Sequence, residues 1–136
     1  MCAGRYASEG HLRFAKRFFS SVGKAVILNE DHFDAVTAVS GSGPAYVFYL
    51  AEALEKACRT LGMPEAESKV LLTQTLVGSA KMLENGETPE ELRRKVTSPG
   101  GTTEAAVRVL ESQNWQEIFV QAVRKAKERS VELSSI

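Results

Sequence analysis

The clearest chemical pattern lies in residues 97–103, which read Thr-Ser-Pro-Gly-Gly-Thr-Thr. Because glycine lacks a Cβ, the backbone at Gly100 and Gly101 can come close to a ligand. Two threonines follow where a helix should begin, and a helix start carries free N–H donors and a partial positive charge. The pattern therefore fits a small anion such as a carboxylate or phosphate. A helix–helix connection with a threonine cap uses the same residue types, so that interpretation stays open.

A second glycine-bearing segment occupies residues 40–45, Ser-Gly-Ser-Gly-Pro-Ala. Pro44 suits the first position of a helix, where its missing N–H costs nothing. We therefore expect both segments to end at helix N-termini and to aim donors into one cleft. The segment is neither a dinucleotide fingerprint nor a Walker loop, because Pro44 follows Gly43 and no third glycine stands at the required offset. A nucleotide-binding half would have to lie elsewhere.

Composition and charge exclude several classes of function. The 17 basic and 17 acidic residues cancel, so nucleic-acid binding has no electrostatic support. We see no apolar run that could span a bilayer and no secretory signal. Cys2 and Cys58 form no disulfide framework, and His11 and His32 lack partners at ligand spacing. We predict a cytoplasmic protein with no metal site, no membrane segment and no nucleophilic catalysis.

The elements that must position these segments are mostly helical. Ser8 is a candidate N-cap for a first helix that Gly23 should end, and residues 24–28 (KAVIL) predict a short strand. Apolar spacing predicts further helices in residues 34–39, 44–61, 65–84, 89–96 and 106–110, and a last helix after residue 114. Residues 40–45 are predicted as a loop. The helices 44–61 and 65–84 should end at Gly62 and Gly86, and Thr88 and Asn114 are candidate N-caps. One strand cannot form a sheet. We therefore expect the strand to pair with another chain or its sheet to be missing from this sequence.

Two blocks of the chain resemble the pyrroline-5-carboxylate reductases. Residues 34–46 (DAVTAVSGSGPAY) resemble the hinge-to-helix segment of that family, and residues 92–110 (LRRKVTSPGGTTEAAVRVL) resemble its signature. The resemblance implies a mainly α fold, namely a helical dimerisation domain of the 6-phosphogluconate dehydrogenase C-terminal-like type. It also implies that residues 1–33 are the tail end of an N-terminal dinucleotide-binding Rossmann domain, a leftover helix–strand unit. Residues 34–136 would then form the helical dimerisation and substrate-binding domain.

The same resemblance implies a function in proline biosynthesis. Members of the family are oxidoreductases acting on CH-NH donors, which reduce L-pyrroline-5-carboxylate to L-proline with NADPH or NADH. They form interlocked homodimers, and the dimers can assemble into larger rings. Because the Rossmann half is missing here, we expect this chain to dimerise, to bind no cofactor by itself and to be inactive alone.

The resemblance also implies roles for individual residues. A cradle for the substrate carboxylate would be formed by Ser98, Gly100, Gly101, Thr102 and Thr103. Thr103 would also hydrogen-bond the ring nitrogen, which makes it the catalytic candidate, whereas the position of Thr102 is often alanine in relatives. Residues near the nicotinamide and the substrate ring would be Ser42, Gly43, Pro44 and Ala45.

Two other interpretations remain open. The chain could be a non-catalytic helical oligomerisation module in which both glycine-bearing segments are only caps. It could also be a helical domain of another dehydrogenase of similar layout, although the Ser-Pro-Gly-Gly sequence at residues 98–101 argues against this.

Overall fold

The computed structural model describes residues 1–134; residues 135 and 136, which close the predicted helical domain, lie outside the described residues. Every regular element in the described range is helical, as the predicted fold class requires. The α-helices are α1 (Glu9–Phe19), α2 (Phe33–Val36), α3 (Gly43–Thr60), α4 (Glu65–Leu83), α5 (Pro89–Lys95), α6 (Thr102–Ser112) and α7 (Trp115–Ser134). A 3₁₀ turn (Glu30–His32) precedes α2, and a π-helical turn (Thr37–Gly41) follows it. No helix within residues 1–134 combines the length and apolarity needed to cross a bilayer.

The chain separates into two compact units, residues 44–121 and residues 1–43 together with the chain from residue 122 onward. Within the latter unit, the Ser130 hydroxyl donates a 2.7 Å hydrogen bond to Oδ1 of Asp34, which ties α7 to α2. The functional boundary between residues 33 and 34 stays a prediction, because it concerns a nucleotide-binding half that this sequence does not contain.

Helix α1 begins at Ser8 as the sequence predicts. The Ser8 hydroxyl accepts the His11 N–H, and the Ser8 N–H donates to Nδ1 of His11. The end of the helix was predicted wrongly, since α1 stops at Phe19, four residues before Gly23. The N–H and hydroxyl of Ser21 both donate to the Phe18 carbonyl, and this tight turn ends the helix before the glycine is reached.

Residues 24–28 do not form the predicted strand. The amino group of Met1 donates to the Val26 carbonyl at 2.8 Å, and the Leu28 N–H donates to the Met1 carbonyl at 3.0 Å. These two bonds follow the pattern of a parallel pair around Ile27. A strand needs a longer ladder, and Met1 offers only one residue to pair with. The prediction of a strand was wrong, because the described residues offer this segment no ladder of partners beyond Met1.

The helices leave much apolar surface uncovered. Among residues 1–134, the structure buries only Ala38, Ser68 and Leu92. On α3 and α4, the side chains of Phe48 and Val70 are 66% and 68% exposed. The accessible surface is 11339 Å², whereas even two separate compact units of these sizes would expose about 8,400 Å² in total. The helices therefore leave large apolar faces exposed.

Candidate carboxylate-binding site

The Ser-Pro-Gly-Gly sequence forms a tight turn. The Gly101 N–H donates to the Ser98 carbonyl at 2.9 Å, with Pro99 and Gly100 at the two central positions. Gly100 has φ +70°, a conformation that favours glycine at the third position of a type II turn, and proline is favoured at the second. The turn explains Pro99 and Gly100 without reference to a ligand.

Gly101 is required for a different reason. Its φ is −83°, which any residue can adopt, but a Cβ added there would lie 2.9 Å from the Ser98 carbonyl oxygen. Real Cβ atoms essentially never approach a backbone oxygen so closely. The chain thus folds back on itself at Gly101, and the close approach expected from the sequence is between two parts of the turn.

The turn leads directly into α6, and the first N–H groups of this helix are open, which here means that they have no hydrogen-bond acceptor among the described residues. Gly101 is the N-cap and has no side chain that could accept them. The first helical bond runs from the Ala105 N–H to the Gly101 carbonyl at 3.2 Å. Within residues 1–134, the N–H groups of Thr102, Thr103 and Glu104 therefore have no acceptor. An open helix start of this kind is a seat for an anion.

Hydroxyl side chains stand at three positions of this turn and helix start. The side chains of Ser98, Thr102 and Thr103 make no hydrogen bond within the described part of the chain, whereas the Thr97 hydroxyl donates to the Arg93 carbonyl at 2.6 Å. Ser98 and Thr102 are exposed, and Thr103 is half-buried. The five residues predicted to form the cradle thus lie on one turn and one helix start, with three hydroxyls available.

Glu104 is a residue of this region that the sequence reasoning missed. Its Oε2 accepts the Gly100 N–H at 2.8 Å, and its Oε1 accepts a 3.1 Å hydrogen bond from Arg108. The available signal was a glutamate at the third position of a helix, which is typical of a carboxylate that reaches back to the start of its own helix. One of the predicted N–H donors, that of Gly100, is therefore already occupied.

The segment of residues 40–45 is not the loop that was predicted. The π-helical turn carries the chain through Gly41, and α3 begins at Gly43. The Ser42 N–H donates to the Thr37 carbonyl, five residues back, at 2.8 Å. A π-turn accommodates Pro44, whose ring and missing N–H are incompatible with an ordinary α-helical continuation.

Residues 42–45 were predicted to lie near the nicotinamide of a cofactor and the substrate ring. Ser42 and Gly43 fall in the first unit and Pro44 and Ala45 in the second, together with residues 98–103. The Ser42 N–H is already used within the helix, and the chain has no glycine-rich phosphate loop. The residues present do not fit the pyrophosphate of a dinucleotide.

A cavity of about 320 Å³ lies elsewhere in the second unit. It is lined by Val107, Leu110 and Trp115, with the Arg93–Glu111 ion pair (3.5 Å) at its edge. None of the predicted site residues lines this cavity, so the cavity is separate from the candidate site.

The described residues form a helical domain in which α6 begins with open N–H groups. Residues 30–133 match the family model described as pyrroline-5-carboxylate reductase dimerisation. The chain therefore belongs to the pyrroline-5-carboxylate reductase dimerisation family, as the two sequence blocks predicted.

Relatives and solved structures agree with this membership. The chain is 44% identical over 134 residues to pyrroline-5-carboxylate reductase of Synechocystis, covering 98% of this chain and 50% of the relative. It is 41% identical over 128 residues to pyrroline-5-carboxylate reductase 2 of Bacillus subtilis, covering 93% and 46%. It thus spans about half the length of the curated relatives it matches.

The structure of a pyrroline-5-carboxylate reductase from Coxiella burnetii superposes with a TM-score of 0.90 at 40% identity, covering 97% of this chain and 50% of that one. The Plasmodium falciparum pyrroline carboxylate reductase with NADP bound gives a TM-score of 0.86 at 32% identity, covering 95% and 52%.

Proposed function

We propose that this chain is the substrate-binding and dimerisation half of a pyrroline-5-carboxylate reductase, the oxidoreductase that converts L-pyrroline-5-carboxylate to L-proline in proline biosynthesis. The observation that carries the proposal is the open start of α6, where the N–H groups of Thr102, Thr103 and Glu104 lack acceptors. A carboxylate is the substrate group that such donors bind. The half-length match to reductases supports the assignment to one part of that enzyme.

In this proposal, the substrate carboxylate accepts the open N–H groups and the hydroxyls of Ser98 and Thr102. Hydrogen bonds to a charged carboxylate contribute about 1.5–3 kcal/mol each, and the helix dipole adds to them. The Thr103 hydroxyl lies one residue further along the helix and bonds the ring nitrogen. These contacts fix the orientation of the ring, so that one face of its C=N bond is presented for reduction.

The hydride donor, NADPH or NADH, would be held by a nucleotide-binding half outside this sequence. A nicotinamide supplies the hydride when it is bound. The proximity of Ser42–Ala45 to the nicotinamide is part of the proposal, and so is the inactivity of the chain alone. A cytoplasmic location and assembly of dimers into rings complete it.

The activity is tested in a chimera that joins this chain to the nucleotide-binding half of the Synechocystis relative. NADPH oxidation with L-pyrroline-5-carboxylate is measured for the chimera, for Thr103→Ala and for the matched control Thr102→Ala. We expect Thr103→Ala to lower kcat/KM about tenfold or more, the cost of a charge-assisted hydrogen bond, and Thr102→Ala to lower it less than about threefold.

Equal activity of the chimera and its Thr103→Ala variant would favour the alternative, a non-catalytic oligomerisation module. Turnover by the 136-residue chain itself would contradict the expectation that the chain is inactive alone.

The dimer is tested separately on the 136-residue chain by light scattering at several concentrations. We expect twice the 14.8 kDa chain mass, because the apolar faces of α3 and α4 otherwise remain in water. A monomer at all concentrations would contradict the proposed partner.

A further inference from the structure

The Glu104 side chain accepts a hydrogen bond from one backbone donor of the turn, the N–H of Gly100. The Gly101 N–H is taken by the Ser98 carbonyl, and the Gly100 N–H is taken by Oε2 of Glu104 at 2.8 Å. The Glu104 side chain is 31% exposed, and its second oxygen is held by Arg108 at 3.1 Å. Both carboxylate oxygens are therefore engaged, one with the turn and one with the next helical turn.

We propose that Glu104 is a positioning residue, which fixes the turn of residues 98–101 and excludes the Gly100 N–H from the substrate. The inference rests on the carboxylate site proposed above and explains why the Gly100 N–H is not among its donors. A ligand carboxylate then meets the N–H groups of Thr102, Thr103 and Glu104, but not that of Gly100. Glu104 thereby confines the carboxylate to the helix start, next to the Thr103 hydroxyl.

Arg108 explains how the negatively charged Glu104 can lie beside a site for a substrate carboxylate. An isolated carboxylate beside the site would repel the substrate carboxylate. The guanidinium of Arg108, one helical turn after Glu104, offsets that charge and orients the carboxylate toward Gly100. Glu104 can therefore hold the turn without closing the site to anions.

The experiment follows backbone amide signals of the ¹⁵N-labelled 136-residue chain by NMR during titration with L-proline. Two variants separate the hydrogen bond from the charge. Glu104→Gln keeps an oxygen acceptor for the Gly100 N–H, whereas Glu104→Ala removes it. Glu90→Ala, at an exposed position in the first turn of α5, is the control for losing a helix-start carboxylate.

We expect L-proline to shift the amides of Thr102, Thr103 and Glu104 in the unmodified chain and to leave Gly100 unchanged. In Glu104→Ala, the Gly100 amide should exchange with solvent at least about tenfold faster, because it loses its acceptor, and should join the amides that respond to L-proline. Glu104→Gln and Glu90→Ala should behave like the unmodified chain.

A response of Gly100 as large as that of Thr103 in the unmodified chain would overturn the inference. Unchanged Gly100 exchange in Glu104→Ala would also overturn it. If no amide responds to L-proline while Gly100 exchange still rises in Glu104→Ala, the proposed carboxylate site fails and the hold of Glu104 on the turn stands.

Discussion

Helices α5 and α6 begin in opposite ways although only a few residues separate them. At α5, the Thr88 hydroxyl accepts the Glu91 N–H at 3.2 Å, and the Glu91 carboxylate accepts the Thr88 N–H at 2.9 Å. At α6, the N-cap is Gly101 and accepts nothing through a side chain. Both helices carry glutamate at their third position, but Glu104 reaches past the N-cap to Gly100.

The comparison shows how the N-cap residue separates a closed helix start from an open one, and the open start is the one that we propose as the carboxylate site. A threonine at the N-cap satisfies a donor of the helix and closes the start to ligands. A glycine leaves the donors open, and the preceding turn then keeps them in place. The cost of the open start is small, because glycine at an N-cap is only roughly a few tenths of a kcal/mol less stabilising than threonine.

The largest expected effect on stability comes from adding a Cβ to the turn at Gly101. In Gly101→Ala, the new Cβ lies 2.9 Å from the Ser98 carbonyl oxygen, so the turn must shift, and we expect a loss of about 1–3 kcal/mol in unfolding free energy. Urea denaturation at fixed chain concentration measures it. Gly41→Ala is the control, since its Cβ meets only Thr37 Cγ2 at 3.8 Å. Equal losses in both variants would show that the turn is not constrained.

A smaller effect is expected from opening the start of α5. Thr88→Ala removes the closed cap and should lower the unfolding free energy by about 1 kcal/mol. It should leave L-proline binding unchanged, because α5 contributes nothing to the proposed site. Thr75→Ala, which removes a mid-helix hydroxyl bonded to the Leu71 carbonyl, should be nearly neutral. If Thr88→Ala weakened L-proline binding, the proposal that only the start of α6, and not that of α5, serves the ligand would be contradicted.

The smallest effect is a pH dependence confined to the α5 start. The backbone N–H of Thr88, followed by its hydroxyl, lowers the pKa of Glu91 below its ordinary 4.5. A lowered folded-state pKa gives stabilisation that is present above the ordinary value and is lost as the pH falls through the folded value. The stability difference between the unmodified chain and Glu91→Gln should therefore shrink on acidification in urea titrations. A difference that is constant with pH would contradict this.

Local signals in the sequence predicted most helix starts and several ends. Ser8 and Thr88 cap the helices they were assigned to. Gly62 and Gly86, which were predicted to end α3 and α4, both have positive φ. These features depend on hydrogen bonds within a few residues, so sequence spacing is sufficient to place them.

Other features depend on geometry that spacing does not specify. Asn114 starts α7 as the sequence predicts, since its carbonyl accepts the Ile118 N–H at 3.1 Å. Its φ of +52° and the hydrogen bond from its N–H to the Glu111 carbonyl show that it also closes α6 in the left-handed position that follows a helix, which was not predicted. The π-turn before Pro44 was predicted as a loop. In both places, the same few residues end one helix and begin the next, and composition alone does not specify the backbone conformation that joins them.

The sequence by itself determined the helical class, because helical periodicity and capping are local patterns in adjacent residues. It also determined the family, through the two blocks that resemble the reductases, and the resemblance implied the residues of the candidate cradle. The three-dimensional structure decided which donors are free: Glu104 and Ser98 occupy the N–H groups of Gly100 and Gly101, whereas those at the start of α6 remain open. It also decided that residues 24–28 form no strand, since a strand requires a ladder of partners that no local sequence can supply.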